Sequence, residues 1–199
     1  ALGDGGGLYS EDESLVLLNV LIETNTALGS GGGLYALALT SDTHADLSQV
    51  TLATNQAGGA GGGIYQSTYM SVTNSTLSGN TAGDDGGGIA NTGALTLHSV
   101  TLAYNTADSD ADGSGDGGGI WQYSSHQPGV TNSLIGNNSD DSPGPGDPDC
   151  SGTYTSHGYN LIRDATGCSG FVTVYDKTGT AATPLEPYLL PLGDYGGAT

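Results

Sequence analysis

The sequence predicts an all-β fold: a right-handed single-stranded parallel β-helix, or solenoid, of about six to eight rungs. Three observations favour it: a glycine triplet that recurs five times, an asparagine about twenty residues after each triplet, and apolar residues alternating with polar ones between them. Alternation with a period of two is typical of strands with one inward face. Repeats of 25 to 31 residues suit one solenoid turn, which buries its apolar face by stacking on its neighbours.

Each repeat opens with a glycine triplet followed by Leu or Ile. The triplets begin at Gly5, Gly31, Gly61, Gly86 and Gly117. Glycine adopts positive φ without steric cost, so these positions predict tight turns where a Cβ would clash between rungs. A phosphate-cradling loop is needed only once in a protein, and five triplets in register therefore favour a structural role.

The repeated asparagine is predicted to lie at a corner, where stacked amide side chains bond along the solenoid axis. The predicted ladder comprises Asn25, Asn55, Asn80, Asn105 and Asn138. In the fourth repeat, Leu95, Leu97, Val100 and Leu102 precede this corner and are predicted to point inward. About three short strands are expected in each repeat.

Composition limits the range of partners. The formal net charge is −19, and Arg163 and Lys177 are the only strong cations. Such a surface repels phosphate backbones and anionic headgroups, so binding to nucleic acid is not expected. No apolar run approaches the roughly 20 residues of a spanning helix, so no membrane insertion of this segment is expected. We expect a single domain over 1–199, with glycine-rich repeats in 1–140 and terminal rungs and a tail in 141–199.

Cys150 and Cys168 enclose a short Gly-, Pro- and Asp-rich segment. The pair predicts a structural disulfide in an oxidising compartment. The alternative is two free thiols in a cytosolic protein. Two thiols so far apart lack the paired ligands of a zinc site.

These motifs resemble the β-helix repeats of bacterial surface proteins, namely polymorphic outer-membrane and autotransporter-type passengers. The C-terminal part is similar to choice-of-anchor domains. The motifs that carry this likeness are Cys150-Ser-Gly152, Gly158-Tyr-Asn-Leu-Ile162, Cys168, Pro184-Leu185 and Pro191-Leu-Gly-Asp-Tyr-Gly-Gly197. The resemblance implies a location outside the cell or on its surface, and says little about activity.

Both termini interrupt the repeat. Residue 1 falls in mid-repeat, because residues 1–9 nearly copy residues 27–35, and the chain stops at Thr199, just after the closing motif. Unpaired terminal strands invite another chain, so we expect head-to-tail self-association, which yields a filament unless it closes into a ring. The alternative is that homologous regions of a longer chain adjoin the two ends and cap the solenoid.

Two sets of side chains are candidates for contacts or ligands. Tyr9, Tyr35, Tyr65 and Trp121 follow the inward aliphatic residue of four triplets and are predicted to form an outward stripe for glycans or a second protomer. The alternative is cross-rung packing. Asp4, Asp85 and Asp116 precede triplets and are candidate Ca²⁺ ligands, because short carboxylates in turns suit this hard cation. The alternative is a solvated acidic surface.

The sequence therefore predicts a non-enzymatic extracellular structural protein. It would belong to a cell surface or a filament, assemble end to end, and serve as a spacer or adhesive fibre. The alternative is a glycan-binding or glycan-cleaving protein of the pectate-lyase-like kind, a polysaccharide lyase or glycoside hydrolase. Lyases of this kind need a base and cations, and hydrolases need two carboxylates across a cleft. The only strong cations, Arg163 and Lys177, lie in the tail, which disfavours a lyase, and the acidic residues lie mainly in turns, which disfavours a hydrolase.

Overall fold

The computed structural model describes residues 1–39, 42–143 and 146–193, and confirms a parallel β-solenoid of about six turns. Its first three turns contain β1 (Leu8–Glu11), β2 (Leu15–Leu18), β3 (Leu21–Glu23), β4 (Thr26–Ala27), β5 (Leu34–Leu37), β6 (His44–Ser48), β7 (Thr51–Ala53), β8 (Gln56–Ala57), β9 (Ile64–Gln66), β10 (Tyr69–Thr73), β11 (Thr76–Ser78) and β12 (Thr81–Ala82). The later turns contain β13 (Ile89–Asn91), β14 (Ala94–His98), β15 (Thr101–Ala103), β16 (Thr106–Ala107), β17 (Ile120–Gln122), β18 (Gly129–Thr131), β19 (Leu134–Gly136), β20 (Ser139–Asp140), β21 (Cys150–Thr153), β22 (Thr155–Ser156), β23 (Leu161–Ile162), β24 (Cys168–Ser169) and β25 (Lys177–Thr178).

These strands form four parallel sheets that run along the axis, each strand pairing with its equivalent in the next turn. Sheet A has the order β1-β5-β9-β13-β17-β21-β24, and sheet B has the order β2-β6-β10-β14-β18-β22. Sheet C has the order β3-β7-β11-β15-β19-β23-β25, and sheet D has the order β4-β8-β12-β16-β20. The expected three strands per repeat are thus too few. The two residues after each ladder asparagine also pair between turns and make a fourth, two-residue strand.

The predicted inward positions form the core. Leu34, Ile64, Ile89 and Ile120 are in register in sheet A and fully buried, and Cys150 continues this column beneath Ile120. A second column in sheet C contains Leu52, Leu77, Leu102, Ile135 and Ile162, all fully buried. Burying each such side chain stabilises the fold by about 1.5–3 kcal/mol. Core packing therefore depends on the repeat being kept from one turn to the next.

Two corners in each of the first five turns place one residue in the left-handed region. Between sheets B and C the residues are Asn19, Gln49, Asn74, Ser99 and Asn132, with φ between 48° and 56°. Between sheets C and D they are Thr24, Thr54, Gly79, Tyr104 and Asn137, with φ between 52° and 67°. This conformation costs a non-glycine residue about 1–2 kcal/mol, so the stacked turns on either side must hold it in place.

The segment after β25 returns along the outside of sheet C. The Leu185 N–H donates to the carbonyl of Arg163 at 3.0 Å, and the Tyr104 hydroxyl donates to the carbonyl of Leu189 at 2.6 Å. Pro191 and Leu192 then lie against a groove that includes Ala53. A row of small residues on this face is buried: Ala53, Ser78, Ala103 and Gly136. Asp194–Gly197 of the closing motif fall outside the described residues.

Within the described part of the chain, no α-helix has the length and hydrophobicity that a membrane span requires.

Candidate functional site

The glycine triplets have the backbone geometry that their repetition predicts. The first glycine of each has positive φ: 68° at Gly5, 69° at Gly31, 73° at Gly61, 66° at Gly86 and 68° at Gly117. A Cβ on Gly61 would clash with the Ile64 carbonyl oxygen. Triplet N–H groups donate to carbonyls one turn away, as Gly61 does to Asp85 at 2.9 Å. These donors are therefore engaged in the solenoid and are not available to cradle a phosphate.

The five asparagines form a continuous hydrogen-bonded ladder. The Nδ2 of each donates to the Oδ1 of the next at 2.9–3.0 Å, from Asn25 through to Asn138. The same Nδ2 also donates to a backbone carbonyl, as Asn80 does to Leu52 at 3.0 Å. Buried amides saturated in this way hold the corner together. This arrangement is structural, with no unused polar group for chemistry in the middle of the ladder.

The ladder extends one residue further than predicted, to Asp149. Its Oδ1 accepts from the Nδ2 of Asn138 at 2.9 Å, and its Oδ2 accepts from the Asp164 N–H at 2.8 Å. Burial raises the pKa of Asp149 to about 6, although the bonds from Asn138 and Asp164 and the charge of Arg163 lower it. The asparagine spacing could not reveal this residue, because the loop after β20 interrupts the repeat.

The aromatic stripe is divided into two stacks. Tyr35 lies parallel to Tyr9 at a centroid distance of 5.2 Å and to Tyr65 at 4.9 Å, so both its faces are covered. Trp121 belongs to the same outer face but stacks on Tyr123 at 5.1 Å, because Ala90 interrupts the series. Burial raises the pKa of Tyr35 to about 12, and the nearby charge of Asp4 makes a smaller contribution in the same direction. The covered faces favour cross-turn packing over stacking on a sugar ring.

The predicted disulfide is present. Cys150 in β21 bonds Cys168 in β24, with a Cα–Cα distance of 5.5 Å and a sequence separation of 18. Cys150 is fully buried in the core column. A structural disulfide indicates an oxidising, non-cytoplasmic environment.

The predicted Ca²⁺ ligands do not come together as a set of three. The Asp116 N–H donates to Asp85 Oδ1 at 2.9 Å, so these two lie in adjacent turns. Asp4 instead accepts from the Ser30 N–H at 2.7 Å, and the turns of Ser30 and Ala60 separate it from Asp85. Asp85 and Asp116 stack while Asp4 stands apart, because only the first, fourth and fifth turns have an acidic residue directly before the glycine triplet.

A different set of carboxylates converges. Oxygens of Asp108, Asp110 and Asp112 lie within 4.8 Å of one another in the loop after β16. Asp108 is buried, and its carboxylate accepts from the Asp112 and Gly113 N–H groups. Carboxylate oxygens are the ligand type that Ca²⁺ prefers, although it requires six to eight. Among the residues that the structure describes, these three carboxylates, rather than the predicted set, are the group whose oxygens could meet at one cation.

A groove of about 690 Å³ lies on the outer face of sheet B, and repeat spacing did not predict it. It brings together His44, His126 and His157, which occupy unrelated positions in the repeat. His44 stacks on Tyr69 at 5.6 Å, and His126 meets the same ring edge-on at 6.5 Å. The loop between β17 and β18 carries His126 back across the sheet, a path that the periodic positions cannot show.

No protein family, curated protein or solved structure matches this chain.

Proposed function

We propose that the chain is an extracellular structural protein, a β-solenoid subunit of a cell surface or filament that associates end to end. The oxidising environment implied by the disulfide supports a place outside the cytoplasm. Sheets A and C run the length of the solenoid and the asparagines of the ladder span its first five turns, so the molecule suits the role of a stiff spacer. Six turns at about 4.8 Å each give a rod about 29 Å long.

The observation that carries the proposal is that the first turn leaves its inward side chains partly uncovered. Its inward residues Leu8, Leu17 and Val20 are only partly buried, and they line an open groove of about 420 Å³ at the end of the core. Ile22 in the same groove is 9% exposed, whereas its sheet C partner Leu52 is fully buried. Another turn of the same repeat would cover these side chains and pair with the edge strands β1 to β4.

The ladder is also open at this end. Asn25 donates its Nδ2 to Asn55 and to the carbonyl of Glu23, but its Oδ1 accepts no hydrogen bond from the described residues. In every later turn of the ladder the corresponding Oδ1 accepts two. An N–H donor from an added strand would fit this acceptor.

The opposite end presents a short partial seventh turn. β24 and β25 are its strands, and β25 is exposed along both residues. Val172 and Val174 between them are 86% and 84% exposed. A second copy seated here by its first turn would cover apolar surface on both partners. The contact is heterologous, and it propagates unless the rotation closes a ring.

The experiment compares Leu17→Lys with Leu18→Lys in chain 1–199, using light scattering after size exclusion over a range of concentrations. Leu17 faces the open end, whereas Leu18 is 59% exposed on the outer face of the same strand. We expect the wild type and Leu18→Lys to associate as concentration rises, and Leu17→Lys to remain monomeric. A wild type that is monomeric throughout, or two variants that behave alike, would contradict the proposal.

A further inference from the structure

We propose that the groove on the outer face of sheet B binds a neutral saccharide chain. This inference does not depend on end-to-end association, because the groove lies on the side of the solenoid. It also differs from the glycan surface that the sequence suggests, since the tyrosine stripe belongs to sheet A.

The floor of the groove is one column of small polar positions across five strands. The register aligns Asp46, Ser71, Thr96, Gly129 and Thr155 in β6, β10, β14, β18 and β22. Four inter-strand steps give a floor about 19 Å long, which is long enough for an oligosaccharide. Hydroxyl groups both donate and accept hydrogen bonds, so this column can pair with sugar hydroxyls in either direction.

One wall is formed by Ser125, His126 and Gln127, in a segment that its own hydrogen bonds hold in place. The Gln122 Nε2 donates to the Ser124 carbonyl at 2.6 Å and to the His126 carbonyl at 3.0 Å. The Thr155 hydroxyl donates to Gln127 Oε1 at 3.0 Å, which fastens the wall to the floor. A wall fixed in this way reduces the ordering cost of binding.

The aromatic component lies at one edge of the floor. Tyr69 is 47% exposed and is contacted by His44 on its face and by His126 at its edge. Its partner in the next strand is Ala94, whose small side chain leaves the space beneath His126 open. An amphipathic ring beside several polar groups is the usual composition of a small-ligand site.

His157 forms the far end and depends on Gly129. A Cβ on Gly129 would lie 3.3 Å from the His157 Nε2, so the imidazole sits directly over that glycine. The ring therefore lies close to the floor, where a ligand in the column can reach its nitrogen.

The charges around the groove favour a neutral sugar over an anionic one. Neither Lys nor Arg is among the residues that the structure places around the groove, and Asp46 is a carboxylate on its floor. The whole chain carries a formal charge of −19, which repels an anionic ligand such as a polyuronate. A neutral saccharide has no such cost and offers hydroxyl groups to Asp46, Ser71 and Thr96.

The test is isothermal titration of the monomeric Leu17→Lys chain with neutral hexasaccharides of β-1,4-glucose, β-1,4-mannose and β-1,4-N-acetylglucosamine, alongside oligogalacturonate as the anionic probe. We expect at least one neutral hexasaccharide to bind and oligogalacturonate not to bind. Tyr69→Ala should weaken binding at least tenfold, and Thr96→Val, which removes one hydroxyl at nearly constant shape, should weaken it several-fold.

Tyr123→Ala is the matched control, because Tyr123 is 76% exposed and lies outside the groove. It should leave the affinity unchanged, and circular dichroism should show all variants folded. Absence of binding by every neutral probe, preference for oligogalacturonate, or equal effects of Tyr69→Ala and Tyr123→Ala would overturn the proposal. Using the monomer separates this outcome from any failure of end-to-end association.

Discussion

Asp149 accepts hydrogen bonds from both the backbone N–H and the side-chain Nδ2 of Asn138, at 3.1 and 2.9 Å. A carboxylate thus occupies the position that an asparagine holds in the preceding turns. Its second oxygen accepts a hydrogen bond from the Asp164 N–H. The NH2 group that an asparagine would place there can only donate, so it could not make this bond. Asp149 therefore connects the repeated turns to the disulfide-bearing turns that follow.

The interior of the ladder should contribute more stability than its open end. Asn80→Ala removes the acceptor of the Asn55 amide and backbone N–H, and leaves buried donors unpaired at about 1–3 kcal/mol each. We expect it to lower the free energy of unfolding by about 2–4 kcal/mol. Asn25→Ala should cost clearly less, because the Asn25 Oδ1 accepts no hydrogen bond from the described residues and the residue is only partly buried. Urea denaturation of both variants measures the difference, and equal losses would contradict the ladder's role.

The positive φ of the triplets can be separated from their close packing. Gly61→Ala combines a φ of 73° with a clash against the Ile64 carbonyl, whereas Gly79→Ala has a φ of 67° and its nearest neighbour at 3.5 Å. We expect Gly79→Ala to cost about 1–2 kcal/mol from backbone strain alone, and Gly61→Ala to cost more. Thermal unfolding of the two variants measures the difference in stability. A smaller loss of stability for Gly61→Ala than for Gly79→Ala would show that the turn can relax around the added Cβ.

The solenoid should become more stable as pH falls from 7 towards 5. Burial raises the pKa of Asp85 and of Asp149 to about 6, from an ordinary value of 3.8. Between these values the folded chain binds more protons than the unfolded chain, so stability rises as pH is lowered through 6. Asp176 acts in the opposite direction, because hydrogen bonds from Ser156, Asn160 and Thr173 lower its pKa. The stability that Asp176 contributes is lost only as the pH falls below the ordinary carboxyl pKa of 3.8.

Asp85→Asn isolates part of this effect. The amide keeps an oxygen for the Asp116 N–H and removes the partly buried charge, so the melting temperature at pH 7 should rise by a few degrees. The rise should shrink at pH 5, where the wild-type carboxyl is largely protonated. Melting curves at both pH values test this, with Asp46→Asn on the exposed face of sheet B as the control. An Asp85→Asn effect that does not change with pH would refute the electrostatic explanation.

The disulfide should stabilise the C-terminal turns. The chain-entropy estimate for a loop of this size is about 3 kcal/mol, and the paired double variant Cys150→Ala, Cys168→Ala should lose about that amount. The measurement is denaturation of the wild type with and without a reductant, beside the double variant. Reductant should destabilise the wild type and leave the variant unchanged; a reductant-sensitive double variant would point to another cause.

The repeated positions could be predicted because each recurs in several turns, so the pattern of one turn can be compared with that of the next. Ser75 and Ser133 stand where other turns have valine, yet they fit, because their hydroxyls accept the Val50 and Val100 N–H groups at 3.0 and 3.1 Å. Sequence spacing thus located the core columns, the asparagine corner and the glycine turns. The fourth strand escaped prediction because two residues are too few to show a period.

The insertions could not be predicted from the repeat. His126 reaches Tyr69 through a loop whose path depends on local hydrogen bonds from Gln122, and Asp149 enters the ladder after the irregular segment that follows β20. The return of the tail over sheet C is likewise a tertiary contact. The small residues of this face, which end at Gly136, leave room for the tail but do not by themselves predict it.

Electron microscopy of chain 1–199 at high concentration tests end-to-end association most directly. We expect filaments with an axial repeat of roughly 29–34 Å, which corresponds to six or seven turns at about 4.8 Å. These filaments should be lost in Leu17→Lys but not in Leu18→Lys. Discrete single solenoids in the wild type at every concentration would contradict the structural proposal and leave the groove on sheet B as the functional surface.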